Sequence, residues 1–147
     1  MQEKDFTKAT GSLLVQVFGA DGVEKDRQEI NNLVVTVGKN FIASRMAGAS
    51  AGVMSHMSIG TATAAPVLAD TILGTEIGRV ALTSGVASSN AVTYVADFPA
   101  GTGTGAITEA GIFNASTAGT MLCCTVFPVV NKGAADSISI TWVVTIN

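Results

Sequence analysis

Hydrophobic and polar residues alternate with a period of two along much of the chain, and that period predicts strands. The last segment shows it best. From Ser137 to Ile146, the residues Ile138, Ile140, Trp142, Val144 and Ile146 share one face, and Ser137, Ser139, Thr141 and Thr145 share the other. Successive strand side chains point to opposite faces, so this is the pattern of a half-buried strand. Ala91 to Phe98 repeats it cleanly. Leu13 to Phe18, Met54 to Ile59, Ile77 to Thr83, Ala106 to Asn114 and Met121 to Phe127 repeat it less regularly. Leu33 to Val37 is a β-branched run that also predicts a strand. Val23 to Ile30 is charged but follows the turn signal Gly19-Ala20-Asp21-Gly22, which predicts a hairpin with one wet face.

One segment breaks the period. Gly38 to Met46 places Phe41, Ile42, Arg45 and Met46 at helical spacings, with Gly48 where a C-terminal cap belongs. A short helix plugging one end of a β-structure is expected. Asp70 is expected to cap a helical turn over 70–73, and Ser84-Gly85 and Ser88-Ser89-Asn90 read as turns. About nine short strands and one helix, without a βαβ rhythm, predict an all-β fold: a single antiparallel β-sandwich or jelly-roll-like barrel over residues 11–147. A polar arm at residues 1–10 precedes it.

Composition sharpens the picture in one respect. Only 13% of the residues are charged, and 11 of the 19 charges lie in residues 1–40. Ala, Gly, Thr and Ser supply 65 of the 147 residues. The body must therefore be covered with small neutral side chains, either as a plain neutral surface or as one that lies against neighbours in an assembly. The net charge of −3 and the absence of a basic stripe argue against nucleic acid. No apolar run is long enough for a membrane helix, and MQEKDFTKATG lacks the apolar stretch of a signal peptide.

Candidate chemistry is sparse. His56 is the only histidine, and a hydrolase-like set would have to be drawn from Ser55 or Ser58, His56 and Asp70. Ser55 is expected to point away from His56, as neighbours on a strand do. Cys123 and Cys124 are adjacent, so a bridge between them is unfavourable, they are expected on opposite faces of a strand, and reduced thiols are expected. No zinc or calcium ligand spacing occurs, and neither metal nor cofactor is expected. The GTGTG run, Gly101 to Gly105, lacks the Lys-Ser/Thr of a phosphate loop and reads as a loop between strands. Glu109 stands out in a strand of Ile, Ala, Gly and Phe, and the expectation is a buried carboxylate paired with an arginine such as Arg79. Glu76 and Arg79 are three apart, and a pair on a helical turn is expected for them as well.

Two stretches carry a resemblance. Residues 54–84, MSHMSIGTATAAPVLADTILGTEIGRVALTS, hold a Leu-x-x-Glu-x-x-Arg element at Leu73, Glu76 and Arg79. Residues 105–144 hold Thr-Glu-Ala-Gly-Ile-Phe at Thr108 to Phe113, then Lys132 and a closing strand that contains Trp142. Together they resemble structural proteins of tailed-bacteriophage virions, including the collar-proximal domain of phage tail fibres. The resemblance implies a non-enzymatic virion protein assembled in the bacterial cytoplasm. A capsid decoration (cement) protein, bound to the major capsid protein and to copies of itself as dimers or trimers, is one form. A tail, collar or fibre-attachment protein is the other. The sequence closes without a shaft or receptor-binding tip, which points to a place on the particle rather than to host recognition. Leu73, Glu76, Arg79, Glu109, Phe113, Lys132 and Trp142 are the candidate structural and interaction residues.

Overall fold

The computed structural model describes residues 8–147. In chain order the elements are β1 (Ala9–Phe18), β2 (Glu24–Asn31), β3 (Leu33–Val34), α1 (Thr36–Met46), β4 (His56–Gly60), β5 (Glu76–Ala81), β6 (Ser84–Ser88), β7 (Ala91–Phe98), β8 (Gly105–Phe113), β9 (Met121–Lys132) and β10 (Ser137–Ile146). They form two five-stranded sheets, ordered β2-β1-β10-β7-β6 and β3-β9-β8-β4-β5. Every pairing is antiparallel. The fold is an all-β sandwich with one helix, as the alternation predicts. The arm expected at 1–10 lies outside the described residues up to residue 7. Ala9 and Thr10 belong to β1, where they pair with Ile146 and Thr145.

The main core lies between the sheets. Leu13, Val15 and Val17 of β1 and Ile138, Ile140 and Trp142 of β10 pack with Met57, Ile59, Ile112 and Phe127 of the second sheet. Trp142 sits at the centre of its sheet, in register with Leu13 and Tyr94, and is fully buried. A smaller cluster of Val35, Leu73, Phe113, Met121 and Cys124 lies on the other face of the second sheet. Cys123 belongs to the main core and Cys124 to the smaller one, so two adjacent residues of β9 mark its two faces. The second sheet is therefore covered on both sides, which is why β8 is buried at both odd and even positions from Ile107 to Phe113.

Five local expectations give way to packing. The β-branched run at 33–37 stops being a strand at Val34, because α1 begins at Thr36. Its first N–H donates to Leu68 O (2.9 Å), so a distant loop replaces a side-chain cap. Gly38 is the buried residue of the helix, and a Cβ there would collide with the Leu122 carbonyl of β9. Met46, expected on the packed stripe, is 86% exposed, whereas Phe41 and Ile42 do reach the core. Gly48 adopts φ +77° and donates to Arg45 O (3.1 Å), the glycine termination that was expected.

Residues 84–88 are a strand, not a turn, and the two-residue turn lies at Ser89-Asn90, with Ser89 at φ 53°. The helical turn at 70–73 is absent; Asp70 instead closes a turn back to Val67. Finally, β9 runs past Phe127 to Lys132. The register slips where Ile107 pairs with Val130 but Glu109 pairs with Val126, and Pro128 falls within that irregularity. A bulge tolerates a proline that a regular central ladder would reject.

Candidate functional site

The segment between β4 and β5 leaves the sheet, covers its outer face and returns. Its neck is held by one side chain. Glu109 of β8 is buried, and its carboxylate accepts backbone N–H groups from Ala62 (2.9 Å), Gly74 (2.9 Å) and Thr75 (2.7 Å). Thr108 Oγ1 donates to Ala62 O (2.7 Å), and Thr61 N donates to Thr75 O (3.0 Å). Both ends of the loop thus meet at one acceptor, which makes residues 62–74 an Ω-type loop with a charged clasp. An ionised carboxylate fits this place because it offers acceptors only, and three donors converge on it. The clasp also requires glycine at position 60, where a Cβ would lie 2.5 Å from Glu109 Oε2 and collide with the Thr75 carbonyl.

Two further contacts stiffen the loop. Asp70 Oδ2 accepts the Val67 N–H (2.8 Å), and Leu68 O accepts the Thr36 N–H of α1. Leu73 is buried in the smaller cluster against Gly111 and Phe113. Its neighbour Ile72 is 68% exposed, and Val67 and Leu68 are exposed too. A cavity of about 240 Å³ remains between loop and sheet, lined by Ala62, Ile72, Leu73, Glu109, Cys124 and Thr125 among others. Its polar groups are quiescent. The carboxylate is taken up by backbone donors, and burial pushes the Cys124 thiol up to about 12, with Asp70 and Glu109 adding to the rise. Burial likewise pushes the Cys123 thiol well up, so both cysteines are free, buried thiols.

Arg79 does not pair with Glu109. It lies on β5 opposite Ser58, while Glu109 lies opposite Gly60, with β4 between them. Its guanidinium takes Glu76 in a bidentate pair (2.7 and 3.1 Å) and donates to Ala115 O and Ala118 O (2.9 Å each). It also lies over the Phe113 ring, 3.9 Å from the centroid. The expected Glu76–Arg79 pair therefore forms, on a strand rather than on a helical turn. Leu73, Glu76, Arg79, Glu109 and Phe113, which come from two separate stretches of sequence, form one patch on the outer face of the second sheet.

Lys132 and Trp142 lie elsewhere. Lys132 is buried at the end of β9 and donates to Pro99 O (2.8 Å). Burial lowers its pKa, and Asp136 works against that shift. Asp136 in turn binds Lys25 (2.9 Å) and the Gly133 N–H (2.8 Å). These ties hold the turn before β10 and the loop after β7. Trp142 fills the main core, and its Nε1 has no hydrogen-bond partner among the described residues.

The hydrolase-like set is drawn differently from the expectation. Ser55 precedes β4 and so escapes strand alternation; its Oγ lies 2.8 Å from His56 Nδ1. Asp70, the acid considered for it, is engaged with Val67 in the Ω-type loop. Among the described residues, no group of three or more His, Cys, Asp or Glu side chains is arranged to hold a metal ion. The Gly101–Gly105 stretch is a loop between β7 and β8 that opens no helix. Among the described residues, no helix is long and apolar enough to cross a membrane.

No protein-family model, curated protein or solved structure matches the chain. Sequence reasoning missed the loop's exposed tip and the free edge at β6. The available signal for the first was the isolated Glu109 together with the apolar residues Val67, Leu68, Ile72 and Leu73, in a segment where a helical turn was expected over 70–73.

Proposed function

We propose that this chain is a non-enzymatic structural protein of a tailed-bacteriophage virion, a capsid decoration protein that binds the outside of the head. The observation that carries this reading is the clasped loop. Exposed apolar side chains cost solubility, and here Val67, Leu68 and Ile72 are presented on a loop whose neck is fixed by a buried carboxylate. A rigid apolar knob loses little entropy on docking, so its burial goes mostly into affinity. The resemblance supports the same reading, because its anchors Leu73 and Glu109 hold this loop and Phe113 shares a buried cluster with Leu73, while Arg79, paired with Glu76, braces the turn after β8. The weakly charged body supplies further neutral surface for contacts with the major capsid protein and with other copies.

The resemblance to the collar-proximal domain of tail fibres favours a second reading, a tail or collar location. Copy number separates the two. Quantitative mass spectrometry of gradient-purified particles should find copies on the order of hundreds for decoration of a shell, against about six or twelve for a tail or collar ring. Absence of the chain from purified particles overturns both. Ile72→Asp should reduce occupancy on the particle at unchanged melting temperature, and unchanged occupancy removes the loop from the interface. Deletion of residues 1–7, which spares the β1 ladder, tests the arm in the same assay.

A further inference from the structure

Among the described residues, the two sheets have four edge strands: β2, β6, β3 and β5. Native sheets protect their edges with charge, shortness, proline or bulges, because an open row of N–H and C=O groups templates pairing with another chain. Three of the four edges obey. β2 carries Glu24, Lys25, Asp26, Arg27 and Glu29; β5 carries Glu76 and Arg79; β3 is two residues long. β6, Ser-Gly-Val-Ala-Ser, carries none of these devices. It has no charge and no proline, its register against β7 is regular over all five residues, and every one of the five is exposed.

The backbone geometry states what this edge offers. A two-residue turn joins β6 to β7, so Ser88 and Ala91 exchange backbone bonds, and the alternation continues at Val86 and Ser84. Gly85 and Ala87 are left with N–H and C=O groups directed away from the sheet. The outward face beside them is neutral, with Val86 next to Thr93 and Ser84 next to Val95.

We propose that β6 is a self-association edge, pairing antiparallel with β6 of a second copy about a two-fold axis through Val86. This register sets Gly85 against Ala87 twice, which satisfies all four open groups with four hydrogen bonds, and sets Val86 against Val86 on one face. No like charges meet. Pairing β6 with the other edge of the same sheet would instead lay a neutral strand on the charged β2 and leave an open chain of copies, whereas the two-fold contact closes. Five-residue strands bury less than a standard interface, so the contact is weak between free molecules and gains from the high local concentration on a particle. Its use there rests on the virion reading, but the contact itself is a property of the isolated chain.

The test uses the full-length chain. Val86→Cys places two thiols at a non-hydrogen-bonded antiparallel pair, where side chains approach closest. Mild oxidation should give a disulfide-linked dimer, while Gln28→Cys on β2 and the unsubstituted chain, with its two buried cysteines, should form no disulfide-linked dimer. In sedimentation equilibrium the unsubstituted chain should show concentration-dependent dimer, and Val86→Lys should weaken it at least tenfold without shifting the melting temperature. Failure of Val86→Cys to cross-link, equal cross-linking at Gln28→Cys, or self-association unaffected by Val86→Lys overturns the proposal. A chain that dimerises this way but is absent from particles overturns only the virion reading; a particle protein that stays monomeric overturns only this one.

Discussion

The Arg79 guanidinium rests on the Phe113 ring at 3.9 Å and binds Glu76, and so leaves Glu109 to the backbone of a loop. The cation and the buried anion on one sheet face thus have separate tasks. Arg79 braces the turn after β8 through Ala115 and Ala118, and Glu109 closes the Ω-type loop.

Their independence is measurable. Glu109→Gln exchanges an ionised acceptor of three N–H groups for a neutral amide with one acceptor oxygen, and should cost about 2–3 kcal/mol. Arg79→Ala should cost about 1–2 kcal/mol through lost stacking and hydrogen bonds. In a double-mutant cycle the two should add within about 0.5 kcal/mol, whereas Glu76→Gln with Arg79→Ala should show coupling. Strong coupling between Glu109 and Arg79 in urea unfolding would contradict the assignment of their partners.

The clasp makes a steric prediction at Gly60. Its absent Cβ is what lets the Thr75 carbonyl and Glu109 Oε2 approach the β4 backbone. Gly60→Ala should destabilise by about 2–4 kcal/mol through overpacking against backbone. Gly52→Ala serves as the control, since a Cβ there meets only Asn114 O, at 4.0 Å. Thermal unfolding of the two variants should separate them clearly.

Trp142 tests the main core. Trp142→Ala removes the largest fully buried side chain and should cost about 3–5 kcal/mol. Trp142→Phe should cost less, because it keeps an aromatic ring in the core and Nε1 has no hydrogen-bond partner among the described residues. A Phe variant as unstable as the Ala variant would show that the indole N–H is bonded in solution.

The Lys25–Asp136 tie sets an acid limb. Lys25 and the Gly133 N–H hold the Asp136 carboxyl below its ordinary value. A depressed folded pKa means that the unfolded chain binds the proton first as pH falls. The stability from this tie is therefore complete above the ordinary aspartate range and is lost on descending through it to the folded value. Lys25→Met removes the chief cause, so its stability against pH should fall less steeply below about pH 4. Parallel acid limbs for the two proteins would dismiss the tie.

Much of the fold is legible because it rests on local rules. Alternation in Ala91 to Phe98 and Ser137 to Ile146 reproduces β7 and β10 to the residue, and in β10 and the last three residues of β7 the burial alternates with it. The glycine stop of α1 is equally local. Where a segment is buried on both faces, as in β8, the period vanishes and Glu109 looks like an anomaly. Its partners could not be read, because they are backbone N–H groups on residues 34, 35 and 47 positions away, and backbone groups carry no sequence signature.

The sequence by itself determined the all-β class, the helix, most strand positions, the separation of Cys123 from Cys124 onto opposite faces, and the low charge of the body. These follow from side-chain polarity at period two and from glycine's backbone freedom. Only the tertiary structure decided that the run after Val34 turns helical, that the Ω-type loop lies on the second sheet, that Arg79 and Glu109 part company, and that β6 is left as the neutral edge. Each depends on which strands become neighbours, and that is fixed by burial across the whole sandwich rather than by any residue's own preference.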